Sequence, residues 1–423
     1  MLHDELMKNM GGERGLPDKI ISKLGYTIED VDKIREVHVH TLEEFRSKPP
    51  EMVIIEAKRT QLLTFTDGYK VKFKKGGKYF LDLLSFIDGY KTKIFKPTDR
   101  FMKFFKFWKG EDLNNKKLLC WLYGGGIGDL IFVQPILRYI KEKYPKCILR
   151  LAHPARHNVF SKKWDFIDEL YPTPMSETPF ITSDYHLHFD GLIGKCKESE
   201  TVNIYEILAK WANLDIPKEK LRPIQQPDET KMKNSIKFLS EKKIDKNFLI
   251  LQLRASTVLR TPRLEFWLEM LNELVNNNIP VMFVDVPKVA GDIDEVIKKC
   301  DRPELVYNFS PYSKTIGDAM AMINFSNLVV AVDTGLIHIA TALGKPVYGI
   351  YGPFPGKIRL GTYDKCYWVD TPCECAPCVT HGYTPCKNAV DGYPICYDKI
   401  NIKELVNNIK ILWEGIIYNE KNS

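Results

Sequence analysis

The sequence predicts two doubly wound, Rossmann-like α/β lobes with a cleft between them, preceded by a β-rich accessory domain. Three observations carry this. From Lys116 onward, short apolar strand runs alternate with amphipathic helical patterns, the mark of parallel sheets covered on both faces. That series pauses once, in the proline- and charge-rich stretch from Leu214 to Asp228, and then begins again. Before Lys116 the pattern differs: MVIIEA, QLLTFT, YKVKF and YFLDLLSF are β-prone runs parted by Asp67-Gly68, Gly76-Gly77 and Asp88-Gly89, as in hairpins.

The resulting division is a polar N-terminal segment (1–50), a small accessory domain (51–112), a first lobe (113–225), a second lobe (226–400) and a closing helix (401–423). A chain of 423 residues is too long for one simple core. Hydrophobic and charged contents of 44% and 27% are those of a soluble globular protein. No apolar run is long enough to span a bilayer, and MLHDELMKNMGGERGLPDK has no apolar signal region, so the expected location is the cytoplasm. The net charge of +7 suits an acidic acceptor, a phosphorylated glycolipid or a nucleic acid and selects none of them.

In the accessory region, lysines and aromatics interleave through KTKIFKPTDRFMKFFKFWKG. This reads either as strands with a solvated lysine face or as a surface that grips an acceptor or another subunit. The first lobe opens with LLCWLY (118–123), a buried-strand run, then a glycine turn and a helix with Leu130, Val133, Ile136, Leu137 and Ile140 on one face. CILRLA (147–152), IDELY (167–171) and YHLHFD (185–190) are its further strands, followed by a helix near 201–213. In the second lobe FLILQL (248–253), VMFVD (281–285), LVYNF (305–309), LVVAVD (328–333) and VYGIY (347–351) are strands. Helical patterns lie at 263–277, 315–324, 335–343 and 402–415.

Two strand ends carry chemistry. In YGGGIGDLIFVQP, Gly124, Gly125, Gly126 and Gly128 stand between strand and helix, and Asp129 falls near the helix start. A carboxylate there caps free N–H groups or, turned into the cleft, serves as a base. In DTGLIHIATALGKP, Asp333 and Thr334 end a strand, Gly335 opens a helix, and His338 lies one turn in on the same side. The free N–H groups of that helix form an anion site suited to a diphosphate. Gly344 and Pro346 stop the helix. Upstream, Arg254, Arg260 and Arg263 cluster after a strand, where guanidinium groups bind phosphate oxygens in pairs.

Together these segments resemble glycosyltransferase family nine, the ADP-heptose heptosyltransferases, over roughly residues 116–415. The early family motif is matched by Gly128-Asp129, Pro135, Leu137-Arg138 and Lys143-Tyr144-Pro145. The late one is matched by Asp333, Thr334, Gly335, His338, Ala340, Ala342, Pro346 and Gly352-Pro353. A third motif is kept in part: Arg260 stands where a phosphate-binding lysine is expected, and Thr261-Pro262 replaces Trp-Pro.

The resemblance implies a GT-B fold and inverting transfer of a sugar, heptose from ADP-heptose, to a hydroxyl of a protein or lipopolysaccharide-core acceptor. It implies Asp129 as general base, Arg260 with Thr334-Gly335 as the diphosphate cradle, and Asp333 and His338 bordering the sugar and phosphates. Gly128 of the glycine turn and Arg254 of the arginine cluster, where Leu253-Arg254-Ala255 departs from the family's His-Pro-Gly, are the further candidates for the nucleotide sugar. No catalytic divalent metal is implied.

Ten cysteines in a cytoplasmic chain argue against a disulfide framework, and half of them lie between Cys373 and Cys396. Cys375, Cys378, Cys386 and Cys396 are candidate ligands for a structural iron or zinc, with packed thiols as the plain alternative and His381 as a substitute ligand. The autotransporter heptosyltransferases of the same family are similar in having an N-terminal β-rich domain and a four-cysteine iron cluster. The expected partners are thus a sugar-nucleotide donor, a protein or glycolipid acceptor and further copies of the chain. Modified DNA as acceptor ranks lower, and a catalytically silent binding or assembly module of the same fold is the alternative from outside enzymology.

Overall fold

The computed structural model describes residues 41–47, 52–64, 70–82, 95–100, 105–123, 126–192, 196–244, 247–378 and 386–422. Gly124, Gly125, His381, most of the polar N-terminal segment and parts of the lysine–aromatic stretch lie outside the described residues. Contacts gather the chain into two compact units, one formed by 1–124, 144–158 and 166–197, the other by 125–143, 159–165 and 198–423.

The first unit combines small antiparallel sheets with a parallel one. β1 (Met52–Ala57) lies between β4 (Lys78–Asp82) and β5 (Phe95–Arg100), while β2 (Gln61–Thr64) and β3 (Lys70–Phe73) form a hairpin. The parallel sheet has the order β8-β7-β6-β9, from β6 (Lys117–Trp121), β7 (Ile148–Pro154), β8 (Glu169–Thr173) and β9 (Tyr185–His188). Its first two strands are buried on both faces, as covered parallel strands are.

The sheets of this unit share a core. Phe80 stacks on Phe180 at 4.1 Å, Phe180 stacks on His186 at 4.2 Å, and Ile54, Trp121 and Met175 close around them. The Phe80 N–H donates to Met175 O at 2.9 Å, so β4 is bonded to the segment that follows β8. The end of the lysine–aromatic stretch runs beside β9: His186 N–H donates to Lys106 O, and Trp108 N–H donates to His186 O. Trp108 is buried whereas Lys106 and Lys109 are exposed, and Lys106 Nζ lies 4.3 Å over the Tyr185 ring.

The second unit is built on a six-stranded parallel sheet, order β12-β11-β10-β13-β14-β15. Its strands are β10 (Leu249–Gln252), β11 (Val281–Phe283), β12 (Val306–Asn308), β13 (Leu328–Val332), β14 (Val347–Tyr351) and β15 (Cys366–Asp370). The order reverses between β10 and β13, which makes their carboxyl ends the switch point where such sheets take ligands. The helices that matter for the site are α1 (Ile127–Lys143), α2 (Leu264–Asn276), α3 (Gly335–Ala342), α4 (Gly356–Leu360) and α5 (Ile402–Asn422). Trp267 and Met270 of α2 and Leu405 and Ile409 of α5 fill the core against the sheet.

The stretch from Leu214 to Asp228, read as a connection between lobes, is strapped to two helices of this unit. Arg138 Nη2 donates to Lys220 O and Arg222 O, Gln134 Nε2 donates to Ile224 O, and Gln225 N–H donates to Ala342 O. These bonds and the packing of α1 on α3 explain why α1 clusters with the second unit. The expected apolar face of α1 is buried at Leu130, Val133, Ile136, Leu137 and Ile140.

β15 and α4 have no counterpart in the sequence reading. β15 is an edge strand, half exposed along its length, so it lacks the continuous apolar run that marks its buried neighbours. At five residues, α4 is too short to show a helical period.

Candidate active site

The site is assembled at the β10/β13 switch point. β13 ends at Val332; Asp333 and Thr334 follow, and the extended backbone of Thr334 hands the chain to α3. The Thr334 hydroxyl donates to Gln252 Oε1 at 2.6 Å, tying the ends of β13 and β10. The Thr334 side chain does not cap the first turn of α3, and the N–H groups of a helix start carry a positive field that suits an anion. Gly344, at φ +71°, ends the helix region as a left-handed stop.

The glycine turn and the DTG turn meet here. A Cβ on Gly335 would lie 2.1 Å from Ile127 Cγ2, and one on Gly128 would lie 3.3 Å from His338 Cδ2. Close approach between the N-terminal turns of α1 and α3 therefore requires glycine at position 335. Phe132, one turn into α1, packs edge-on against the His338 ring at 4.4 Å. The helix N-termini that carry Asp129 and Thr334 thus share one neighbourhood.

Three charged or polar side chains converge on Asp333. Arg260 Nη1 donates to Asp333 O at 2.9 Å and stands 3.5 Å from Asp333 Oδ2, while its Nη2 donates to Ser256 Oγ at 2.6 Å. Arg359 of α4 places Nε 3.7 Å from the same Oδ2, and His338 Nε2 lies 4.0 Å from Oδ1. His338 is buried, and its Nδ1 has no hydrogen-bond partner among the described residues. Burial holds this imidazole down at about 4, against an upward pull from Asp333, so it is neutral at physiological pH.

Asp129 sits in the first turn of α1, and its Oδ2 accepts the Gly126 N–H at 2.6 Å. The carboxylate thus reaches back to cap the helix start, and the same bond fixes its direction. Burial pushes its carboxyl above the usual range, while the Gly126 N–H, Arg359 and Arg260 pull it back. A carboxylate made more basic in this way is a better proton acceptor than one in water.

The other arginines go elsewhere. Arg254 pairs with Asp292 at 2.5 Å and Arg263 with Asp398, and neither guanidinium touches the Asp333 group. Arg359 is the residue the sequence reading missed. Its place soon after the Gly352-Pro353 turn that ends β14 was the available signal, since residues beyond strand ends line such sites.

The cysteine segment abuts the same strand end. A Cβ on Gly352 would lie 2.8 Å from Cys396 Sγ, and buried Tyr397 senses the charges of Asp333 and Arg260. Cys373 Sγ and Cys375 Sγ are 3.5 Å apart. Burial pushes the Cys396 thiol up to about 12, with further upward pressure from Cys373, Cys386 and Cys378. Among the described residues no three His, Cys, Asp or Glu side chains close on one point as a metal site. Among them, too, no helix is long and apolar enough to cross a membrane.

Two parallel α/β sheets, the larger with a switch point between β10 and β13, have the architecture of the GT-B glycosyltransferase fold. The sequence model of glycosyltransferase family 9 (heptosyltransferase) matches residues 193–383 of the chain. That match takes in Arg260 and the DTG turn; Gly128-Asp129 precede it.

Solved structures agree on the fold. A family 9 glycosyltransferase from Veillonella parvula superposes with a TM-score of 0.55 at 14% identity, covering 72% of this chain and 99% of that one. Escherichia coli ADP-heptose lipopolysaccharide heptosyltransferase II gives 0.54 at 14% identity, over 71% and 99%. The dodecameric iron-containing heptosyltransferase TibC of enterotoxigenic E. coli, in complex with ADP-D-β-D-heptose, gives 0.51 at 11% identity, over 87% and 92%. No curated protein matches the sequence.

Proposed function

We propose that this enzyme transfers heptose from ADP-heptose, with inversion, to a hydroxyl of a protein or of the lipopolysaccharide core. The observation that carries the reading is the meeting of Gly128-Asp129 with the Asp333–His338 turn beside Arg260. Heptosyltransferase II and TibC, both named for heptose transfer, share the fold.

In this reading the donor's diphosphate lies against the free N–H groups of α3 and is held by Arg260. Neutral His338 offers a ring nitrogen to the sugar or phosphate without adding charge. Asp129, its Oδ2 anchored by Gly126, takes the acceptor hydroxyl proton through Oδ1. The acceptor oxygen forms a bond to the anomeric carbon as the bond from that carbon to the phosphate oxygen breaks, and the nucleoside diphosphate leaves with the extra negative charge. Arg260 and the helix dipole stabilise that charge as it grows. Incubation with ADP-heptose and candidate acceptors, read by mass, tests the reading. A gain of one heptose on protein or core glycolipid supports it, and no transfer to either rejects it.

The cysteines fit a structural metal by donor chemistry: the Cys373 and Cys375 thiols already stand at a separation that one tetrahedral ion bridges, and Cys373, Cys378 and Cys386 act on the Cys396 thiol. Cys375, Cys378, Cys386 and Cys396 are the proposed iron or zinc ligands, and Cys373 joins the candidates because it is nearest to Cys375. When bound, the metal supplies a cross-link; the chain's own role is to hold Tyr397 and Cys396 beneath Gly352. TibC is dodecameric, and we extend a homo-oligomer to this chain as part of the proposal, read by light scattering.

A further inference from the structure

Two guanidinium groups share one oxygen of Asp333, and they are not equivalent. Arg260 Nη1 is 3.5 Å and Arg359 Nε 3.7 Å from Oδ2. Arg260 comes from a turn, keeps 24% of its side chain exposed, and its remaining contacts are to neutral groups, Ser256 Oγ and the Asp333 carbonyl. Such contacts are exchangeable for the stronger bond to a phosphate oxygen.

Arg359 differs in each respect. Its side chain is 4% exposed, and its guanidinium carbon rests 4.3 Å over the Phe354 ring. A desolvated cation seated on an aromatic face beside a carboxylate has no cheap alternative position. Asp333 itself is buried, so its charge needs a counter-charge in every state of the enzyme. If Arg260 were its main counter-charge, binding an anion through Arg260 would strip Asp333 of it.

We propose that Arg359 is a positioning residue of the donor site: it is the resident counter-charge of Asp333, which leaves Arg260 able to turn to the diphosphate of a nucleoside diphosphate. This rests on the donor-site reading above. Without the Arg359 charge, Asp333 holds Arg260 more tightly, and a diphosphate has to compete with a buried carboxylate for the same guanidinium.

Titration calorimetry of the full chain with ADP and with adenosine tests this. Arg359→Gln is expected to weaken ADP about tenfold or more and leave adenosine unchanged, since only the phosphates compete with Asp333. Arg359→Lys, which keeps the charge, should retain most of the affinity. Adding Asp333→Asn to Arg359→Gln should restore ADP binding to within about threefold of wild type, because the competing charge is gone.

Unchanged ADP affinity in Arg359→Gln, equal losses for ADP and adenosine, or no restoration by Asp333→Asn each overturn the proposal. If Arg359→Gln does not fold, the double variant decides alone: ADP affinity near wild type supports the proposal, and a tenfold loss overturns it. Arg260→Ala separates the two readings. If it leaves ADP affinity intact, the donor site itself is misread; if it weakens ADP while Arg359→Gln does not, only the role of Arg359 falls.

Discussion

The Thr334 hydroxyl donates to Gln252 Oε1 at 2.6 Å and so locks the end of β13 to the end of β10. The bond spans the point where strand order reverses, and it orients the residue that starts α3. Thr334→Val keeps the shape and removes the donor. The loss of this part-buried bond should cost about 1–3 kcal/mol, seen as a lower denaturation midpoint. Donor KM should rise with it if, as proposed, this turn holds the diphosphate, because the turn is no longer held.

Gly335→Ala addresses the junction between helix starts. Its new Cβ would fall 2.1 Å from Ile127 Cγ2, so α1 and α3 must part or strain. Destabilisation of about 1–3 kcal/mol is expected from overpacking. Adding Ile127→Ala should recover most of the lost melting temperature, which a purely backbone effect of alanine would not allow.

Arg254 and Arg260 looked alike in sequence and separate in the fold. Arg254 is paired with Asp292, whereas Arg260 bonds the Asp333 carbonyl. Arg260→Ala should raise donor KM by about tenfold or more, and Arg254→Ala by less than about threefold. Steady-state kinetics with varied donor concentration reads the difference.

Acid should destabilise the protein before its ordinary, unshifted carboxylates titrate. Burial holds His153, His186 and His338 down at about 4 and His157 at about 3. The unfolded chain takes up protons at these sites below about 6.5, where the folded chain does not. The stability they contribute is present above that pH and is lost as pH falls toward 4. Asp285, pushed up to about 6 by burial, acts oppositely between its unfolded value and 6 and makes the slope shallower. Melting temperature should therefore drop from pH 7 to pH 4.5, and His186→Gln should flatten the drop.

Much of the fold was legible because covered parallel strands are continuous apolar runs. LVVAVD and VYGIY needed no context, and β13 and β14 are buried throughout. DTGLIH was legible because its glycine, threonine and histidine fall at a strand end in helical register.

What lay beyond reach depends on residues distant in sequence. Arg359 joins Asp333 across a short helix with no period of its own, and Arg254 is diverted by Asp292 on a separate helix. Asp129 accepts the Gly126 N–H and has its carboxyl raised by burial, so the cap and the proposed role as base are compatible at one carboxylate.

The most direct test of the central claim is the single-turnover rate of heptose transfer from saturating ADP-heptose by the wild type and by Asp129→Asn. A proton-accepting carboxylate predicts a fall of about a hundredfold or more, with donor affinity retained. It also predicts that the wild-type rate climbs as pH rises through a carboxyl value above the ordinary range, a limb absent from the variant. Equal rates for the two proteins would contradict the assignment of Asp129.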